Sequence, residues 1–576
     1  MPHASNFPLT PVDYVFFFSF LAILSLAGFL AGRRETHSSN EYFLAGNRLT
    51  WWVIGCSLTA TVLSTDHLIG QAGWTVLYGI SIGMWGWGCA VDITLLIFLW
   101  VPFLLASRAV TIPQFLQERF DGRVRAVFAV ITLVMNIVVF MAGVLYTGGL
   151  AISELFGWDI SFAIIVLAIV SGTWAIYGGL SSVAWTDTVS ALVLVVGCAS
   201  VVYLGLHTLA PDSLLKGVHL MLERNAAHAG VWASAVAHHK DLITGASTYN
   251  RLSVLQPSDH LAAPTLGLVL GSFSVGIWYN VMNQFVIQRI LAARSTYDAR
   301  MGLVFLGILY GFLVFLIVLP GMIIFALRPE ILLQDWGAAQ TTADRSYIDL
   351  IQSVMPVGLR GLFLAALFAA AQSTVNSVLN STATVFAMDI YREHINRRGS
   401  DRDLVRVSIW ASVISLSVAI LIAILVTKLK VSIFYYMQML SSFFAPPFSA
   451  VFILGVLWRR MNTPGAIVAL TTGFIAAIGL KLAPYLINDF PRWATTMLNQ
   501  AFLVFAVSTI AALVGSYLTP PPLPEKVSDT LTFSWSNKYL RMGWGERAWS
   551  KVILWWIVLL VLTAALISYF SPLVFR

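Results

Sequence analysis

The chain has 576 residues, of which 58% are hydrophobic and 11% charged, and its mean hydropathy is +0.81. A soluble protein carries about 25% charged residues, so this composition excludes one large soluble domain. Apolar runs of roughly 20 residues recur along the chain, and in lipid such runs form helices because a helix satisfies its own backbone polar groups. The net charge of +7 comes from Lys and Arg near the ends of these runs, which indicates membrane topology rather than nucleic-acid binding.

Fourteen membrane-spanning helices are predicted, so we expect an all-α polytopic membrane protein in the cell membrane. If the N-terminus lies outside, most of the 34 Lys and Arg residues lie on the cytoplasmic side, and this set includes Arg289 at the end of the seventh span. Both termini are then outside the cell. The predicted spans are 12–32, 50–73, 78–106, 124–153, 159–178, 182–208, 262–291, 301–327, 348–390, 404–427, 432–458, 463–485, 497–518 and 549–571.

Motifs of several other protein classes are absent from the sequence. The three cysteines lie in apolar segments and show neither the spacing of metal ligands nor a disulfide framework. The motif HExxH is missing and the Cys and His residues are not clustered, which argues against a membrane enzyme. We therefore expect no enzymatic activity, no cofactor and no nucleic-acid partner. A channel or a transporter-derived sensor is the less favoured alternative to a carrier, because no signalling domain accompanies the spans.

The second predicted span is rich in Gly, Ser and Thr and carries Asp66 and His67 at mid-membrane depth. A helix of this composition unwinds easily, and unwinding frees backbone carbonyls that an ion or a solute can satisfy. Polar groups at this depth are costly and are therefore functional candidates. The alternative is that the small residues serve close helix packing.

The sixth predicted span carries Asp187 about one and a half helical turns into the membrane. A carboxylate at this depth is tolerated only beside a partner or a cation, so Asp187 is a candidate cation ligand. The alternative is an interfacial aspartate whose side chain extends to the headgroup region.

The seventh predicted span combines three glycines, Gly267, Gly271 and Gly276, with the aromatic Tyr279. It follows the second span by five positions in the order of spans. Two interrupted helices in matching positions of two five-span halves are typical of an inverted-repeat transporter with a central binding site. The sequence therefore favours a carrier whose site lies between the second and seventh spans.

The ninth predicted span places polar side chains on one helix face, because Ser373, Asn376, Ser377 and Asn380 follow the spacing i, i+3, i+4, i+7. Sodium prefers oxygen ligands, and hydroxyls and carbonyls supply them without fixed charge. The alternative is that these hydroxyls bond the backbone of their own helix. The span is too long for one crossing, so we expect it to break or to extend into water.

Several motifs in the right order make the chain similar to the sodium/solute symporter family, and within it to the sodium/glucose cotransporter branch. The motifs are Tyr-Gly-Gly-Leu-Ser-Ser-Val-Ala-Trp-Thr-Asp at 177–187, Asn-Gln-Phe-Val-Ile-Gln-Arg at 283–289, Leu-Asn-Ser-Thr-Ala-Thr-Val-Phe-Ala-Met-Asp-Ile-Tyr at 379–391, Ala-Pro-Pro at 445–447 and Trp-Arg-Arg-Met-Asn-Thr-Pro-Gly-Ala at 458–466. The resemblance implies a LeuT-like core of two inverted five-helix repeats.

The resemblance also implies how the chain divides. The first repeat is expected at 50–208 and the second at 262–458, with an extracellular loop at 209–261 between them. Residues 1–49 hold the extracellular N-terminus, the first helix and a cytoplasmic loop. Residues 459–576 hold three further helices and a cytoplasmic linker near 519–548.

A sodium site between the second and ninth spans is implied by the same resemblance, with sodium as the coupling ion. Some relatives hold a second cation near the aspartate of the sixth span. The ligands implied for the first sodium are the carbonyls of Ala60, Leu63 and Ala370 and the hydroxyls of Ser373 and Thr374, and those implied for a second sodium are Asp187, Asn376 and Ser377.

For the solute, the resemblance implies binding by four residues on four different spans of the core: His67, Trp85, Tyr279 and Gln438. Tyr279 matches the aromatic inner gate, and Gln438 matches a glutamine that binds sugar. Three positions depart from the family, where a Glu, an Asn and a Lys are replaced by Gly86, Gly276 and Tyr310. A larger or differently substituted sugar is expected to fill the space left at Gly86.

We therefore expect a secondary active symporter that imports sodium together with a small polar solute, a sugar, by alternating access. The same sodium symport with a non-sugar solute, such as a carboxylate or a polyol, remains the main alternative, because the three departures remove polar groups that bind a hexose.

Overall fold

The computed structural model describes residues 9–33, 38–245, 249–428, 433–535, 537–540, 547–572 and 574. Over these ranges the chain is helical, and the single isolated β-bridge joins Leu49 to Ala293. Within them, twelve helices are long and apolar enough to cross a membrane: Pro11–Gly32, Ile80–Ser107, Gly122–Phe156, Ile160–Leu209, Thr265–Met282, Thr296–Leu327, Leu359–Ile395, Asp401–Val426, Tyr435–Leu457, Thr463–Leu486, Met497–Tyr517 and Ala548–Tyr569. Shorter helices connect them: Ser39–Leu44, Ile112–Arg119, Leu214–Ala226, Gly230–His238, Lys240–Ile243, Gln284–Leu291 and Trp336–Val354.

The second predicted span is a broken helix, which brings the number of crossings to thirteen. Its halves, Trp51–Val62 and Asp66–Tyr78, are bent by 59°. Leu63 leaves the helical region at φ −96° and ψ 71°, and the second half begins with the wide turns of a π-helix at Asp66–Gln71. The prediction that this Gly-, Ser- and Thr-rich segment unwinds is confirmed.

The fourteenth crossing is hidden in the 50-residue helix Ile160–Leu209, which would be about 75 Å long if it were straight. Its backbone leaves the helical region at Gly178 and Gly179, between the predicted fifth and sixth spans. A Cβ on Gly28 would lie 3.1 Å from Trp174 and 2.9 Å from Thr186, two residues that a straight helix would separate by about 18 Å. The chain therefore folds back at this glycine pair.

The ninth span begins later than predicted. The prediction placed one span at 348–390, but residues up to Val354 belong to the separate helix Trp336–Val354. The chain leaves that helix, passes Gly358 at φ 88°, and starts again at Leu359. The prediction that this overlong span breaks is confirmed. The helix Leu359–Ile395 is almost wholly buried and forms the centre of the molecule.

The seventh span is interrupted as well. The helix Thr265–Met282 ends in a π-helical turn, Asn283 is extended at φ −68° and ψ 123°, and a new helix runs over Gln284–Leu291. The helices next to the two breaks, Trp51–Val62 and Gln284–Leu291, both contact the buried ninth span.

Apolar side chains of the first and last helices point outward. Only 22% of the most apolar part of Pro11–Gly32 and 11% of that of Ala548–Tyr569 are buried inside the protein. A soluble protein would not expose so large an apolar area, so lipid covers these faces.

Candidate solute and sodium site

The four residues predicted to bind the solute, His67, Trp85, Tyr279 and Gln438, line one cavity. The cavity lies where the break in the second span faces the third, seventh, eighth and eleventh spans. The volume of the cavity that the centres of water molecules can occupy is about 90 Å³, which is room for roughly six water molecules. A pocket of this size suits a small polar solute.

His67 is oriented by its neighbours at the helix break. Its Nδ1 lies 3.1 Å from Ser64 Oγ and 3.3 Å from Asp66 Oδ2, and the Ser64 hydroxyl also donates to Asp66 Oδ1. Asp66 is only 2% exposed, so the imidazole covers a buried carboxylate. The bend of the second span thus brings two polar residues, His67 and the more deeply buried Asp66, to the cavity wall.

Tyr279 belongs to a triangle of aromatic rings at one end of the cavity. Its ring centroid lies 5.9 Å from those of Phe140 and Phe285, which are 5.6 Å from each other. Phe285 follows the break at Asn283, so a movement of that break would move the triangle. This position fits the gate predicted for Tyr279.

The three departures from the family pattern have different consequences in the structure. Gly276 and Tyr310 line the cavity, and Gly86 does not. A Cβ on Gly86 would overlap the side chain of Val314, so the expectation that a larger sugar fills this space is wrong. Val314 of the eighth span already occupies it.

Asp92 is a cavity residue that the sequence analysis missed. It is 3% exposed, lines the cavity and accepts a hydrogen bond of 3.0 Å from Nδ2 of Asn280. A usable signal was present, because an acidic residue in the middle of an apolar span is a functional candidate. The third span carries no other charged residue between Ile80 and Ser107.

The positions predicted to bind sodium meet where the second span breaks beside the ninth span. The Thr374 hydroxyl donates to the carbonyl of Thr61 at 2.9 Å and to that of Ala370 at 3.2 Å. Thr374 also lines the solute cavity, so the two predicted sites share a wall. All five predicted positions are buried, namely Ala60, Leu63, Ala370, Ser373 and Thr374.

Two of the three residues predicted for a second sodium, Asp187 and Ser377, contact the guanidinium of Arg289. Nη2 of this arginine lies 2.9 Å from Oδ2 of Asp187 and also donates to the hydroxyl of Ser377. The hydroxyl of Ser57 accepts from Nε of Arg289 and donates to Asp187 at 2.6 Å. The side-chain amide of Asn376 has no hydrogen-bond partner among the residues that the structure describes.

Arg289 is therefore not a loop residue, and counting it among the cytoplasmic positive charges was wrong. Its side chain is 1% exposed, and that of Asp187 is fully buried. The break at Asn283 turns the helix Gln284–Leu291 back into the protein, which a count of charges along the sequence does not detect. A second sodium at this place remains a prediction, and it requires the guanidinium to withdraw.

Comparison with known proteins gives consistent results. A family model described as the sodium:solute symporter family matches residues 42–473. The chain is 32% identical over 520 residues to a sodium/glucose cotransporter of Vibrio parahaemolyticus, covering 88% of this chain and 92% of the relative. It is 29% identical over 551 residues to a sodium/myo-inositol cotransporter of Canis lupus familiaris, covering 90% of this chain and 75% of the relative.

Among solved structures, the substrate-bound outward-open state of a Na+-coupled sialic acid symporter matches with a TM-score of 0.70. The identity is 21%, and the match covers 90% of this chain and 99% of that one. At this identity the match establishes the fold, a LeuT-like core, and leaves the solute open.

Proposed function

The chain belongs to the sodium:solute symporter family, and we propose on that premise that it imports a sugar or a cyclic polyol together with sodium by alternating access. The observation that carries the proposal is the position of Thr374. This predicted sodium ligand lines the same cavity as the predicted solute residues His67 and Gln438. The names of the relatives, sodium/glucose and sodium/myo-inositol cotransporters, support a polyhydroxylated solute.

Coupling follows from the broken second span. Sodium bound to its freed carbonyls and to Thr374 would fix the angle between the two halves of the span. The second half carries Asp66 and His67, so sodium binding would also fix the cavity wall formed by His67. Each ligand then increases the affinity for the other, as linkage requires.

The hydrogen bonds of the Thr374 hydroxyl support sodium binding at this place. Its hydroxyl proton is directed at the carbonyls of Thr61 and Ala370. A bound sodium would compete for the carbonyl of Ala370, which is a predicted ligand, and would accept a lone pair of the Thr374 hydroxyl. The hydroxyl proton would then stay on the carbonyl of Thr61, so neither buried carbonyl would lose its partner.

The test is uptake of radiolabelled glucose or myo-inositol by proteoliposomes under an inward sodium gradient. We expect Ser373→Ala and Thr374→Ala each to abolish sodium-driven uptake, because each removes a ligand that the backbone cannot replace. Ser408→Ala is the matched control, since the Ser408 hydroxyl is equally buried and donates at 2.8 Å only to Leu404 of its own helix. Full sodium-driven uptake in both site variants would overturn the proposed sodium site.

A further inference from the structure

Asp92 differs from other buried acids that the structure describes. Asp187 lies 2.9 Å from a guanidinium nitrogen of Arg289, and Asp389 lies 2.8 Å from one of Arg125. Asp92 has no cationic side chain within 4.0 Å, and Asn280 is its only hydrogen-bond partner within the described part of the chain. An ionised carboxylate without a cationic partner is costly to bury, so such a group either binds a proton or requires hydrogen-bond donors at its remaining lone pairs.

The seventh span is shaped to accept this carboxylate. A Cβ on Gly276 would overlap Oδ2 of Asp92 and would lie 2.9 Å from its Cγ. Glycine at this position therefore lets the carboxylate lie against the backbone, where Asn280, one helical turn further on, donates to it. Asp92, Gly276 and Asn280 form a fitted set, which we call the Asp92 seat.

Other polar groups around the cavity also lack partners within the protein. Neither the side-chain amide of Gln438 nor the phenol hydroxyls of Tyr279 and Tyr310 have a hydrogen-bond partner among the described residues, and all three side chains line the cavity. With Asp92 they form a ring of acceptors and donors on several spans. A solute with many hydroxyl groups, bound in the cavity, would form hydrogen bonds with these polar side chains.

The charge of the residues that line the cavity also favours an uncharged solute over an anionic one. Among the described residues, the lining of the cavity includes two carboxylates, Asp66 and Asp92, and one histidine, His67, but no Lys and no Arg. An anionic solute would meet like charge in a water-poor site, where electrostatic repulsion is stronger than in water. A carboxylate-bearing solute would also find no cation to pair with.

We propose, resting on the proposed symport function, that the Asp92 seat determines solute specificity: its carboxylate accepts hydrogen bonds from solute hydroxyls and excludes anionic solutes. The chemical class is a sugar or polyol without a carboxylate. The carboxylate that the family pattern leads one to expect at Gly86 is thus absent, and a different carboxylate of the same span faces the solute. This assignment narrows the solute class that the family alone leaves open.

The test uses matched neutral and anionic probes on the full-length protein in proteoliposomes. The neutral probes are glucose, galactose and myo-inositol, and the anionic probes are glucuronate and galacturonate, in which a carboxylate replaces the terminal hydroxymethyl group of the sugar. We expect sodium-driven uptake of a neutral probe, with kcat/KM for its anionic counterpart lower by about 100-fold or more. The sodium concentration for half-maximal uptake is measured in parallel.

Asp92→Asn keeps the shape of the side chain and removes its charge. We expect the KM for the preferred neutral probe to rise by roughly 10- to 100-fold, because a charge-assisted hydrogen bond is lost. The ratio of kcat/KM for the neutral probe to kcat/KM for the anionic probe should fall by about tenfold. The sodium concentration for half-maximal uptake should stay unchanged. Gly276→Ala should raise the KM in the same direction, because its Cβ would displace the carboxylate.

Glu154→Gln is the control for replacing a carboxylate by an amide. Glu154 is 38% exposed and pairs at 3.7 Å with Arg345 on the surface, so uptake should be unaffected. A merely structural role of Asp92 would lower the amount of folded protein without changing the ratio of neutral to anionic uptake. An unchanged ratio in Asp92→Asn, or a wild-type protein that prefers an anionic probe under a sodium gradient, would overturn this inference and leave sodium symport intact. Uptake of every probe without dependence on sodium would instead contradict the proposed function.

Discussion

At the scale of single residues, the buried ion pair of Asp187 and Arg289 connects several spans of the core. It joins the sixth and seventh spans and is surrounded by the hydroxyls of Ser57, Thr61 and Ser377, which contact the second and ninth spans as well. Removing one member of a buried ion pair leaves an uncompensated charge, which is far costlier than removing both. The pair therefore ties four spans of the core together.

We predict that Asp187→Asn lowers the free energy of unfolding by about 3–5 kcal/mol and weakens the sodium dependence of uptake, because Arg289 loses its counter-charge. The double variant Asp187→Asn with Arg289→Gln should recover most of the stability and none of the sodium dependence. Thermal melting in detergent and sodium titration of uptake measure the two effects separately. An unchanged sodium dependence in Asp187→Asn would remove this residue from the coupling mechanism.

A histidine outside the spans makes stability depend on pH. His260 is fully buried, and burial lowers the pKa of its imidazole to about 3. Its Nδ1 accepts hydrogen bonds from the backbone N–H groups of Ala262 at 3.3 Å and Ala263 at 3.0 Å, so protonation would place a proton against two donors.

Because the pKa of folded His260 is below that of the unfolded residue, about 6.5, the folded state binds the proton more weakly. Its stabilising contribution is fully present above about pH 6.5 and is lost as the pH falls toward 3, by up to about 1.4 kcal/mol per pH unit. We predict a smaller fall in melting temperature between pH 7.5 and pH 5 for His260→Asn than for the wild type, since Asn can accept the same hydrogen bonds without titrating. Parallel pH profiles for the two proteins would refute this role.

The sequence predicts residues that lie in recognisable segments, and it misses residues whose position depends on a backbone break or on partners in another span. His67, Trp85, Tyr279 and Gln438 could be predicted because the resemblance to the family assigns them to the solute, and all four line one cavity. Arg289 was misplaced because its burial depends on a backbone break at Asn283, six residues earlier in the chain. Asp92 was overlooked because its partners, Gly276 and Asn280, lie on another span.

At the scale of elements, the chain reverses direction at glycines and breaks at polar segments. The sharp reversal between the fifth and sixth spans uses Gly179 at φ 54° and ψ −150°, a conformation that is nearly restricted to glycine. A Cβ there would also overlap the carbonyl oxygen of Tyr42. This turn fixes how Asp187, eight residues later, approaches Arg289.

We predict that Gly179→Ala destabilises the protein by at least about 1–3 kcal/mol, from backbone strain and from the displacement of Tyr42. Gly122→Ala is the matched control, because a Cβ on Gly122, at the start of the helix Gly122–Val134, would contact nothing within 4 Å. Thermal melting of the purified variants measures the difference. Equal melting temperatures for the two variants would show that the turn does not require glycine.

The elements themselves were largely predictable from apolar runs, and their irregularities were less so. The break in the second span was predicted from its Gly, Ser and Thr content, since small polar residues weaken a helix in lipid. The start of the ninth span was misplaced because the predicted span included the end of the separate helix Trp336–Val354. That helix ends where Met355 is extended at φ −79° and ψ 120°, and Gly358 at φ 88° precedes the next helix.

At the scale of the whole molecule, sodium provides a driving force of useful size. One sodium ion that enters down 100 mV supplies about 2.3 kcal/mol, and a tenfold concentration gradient adds about 1.4 kcal/mol. The sum of about 3.7 kcal/mol could sustain a solute gradient of roughly several hundredfold at one-to-one coupling. A shared wall between the two sites, such as Thr374 provides, is what would let one gradient drive the other.

The measurement that tests the central claim most directly is solute accumulation by the wild-type protein in proteoliposomes, with sodium, lithium and proton gradients imposed separately. We predict that an inward sodium gradient drives glucose or myo-inositol above its equilibrium concentration and that collapsing the gradient releases it. Uptake that only equilibrates, as through a channel, or accumulation that ignores the sodium gradient would contradict the account.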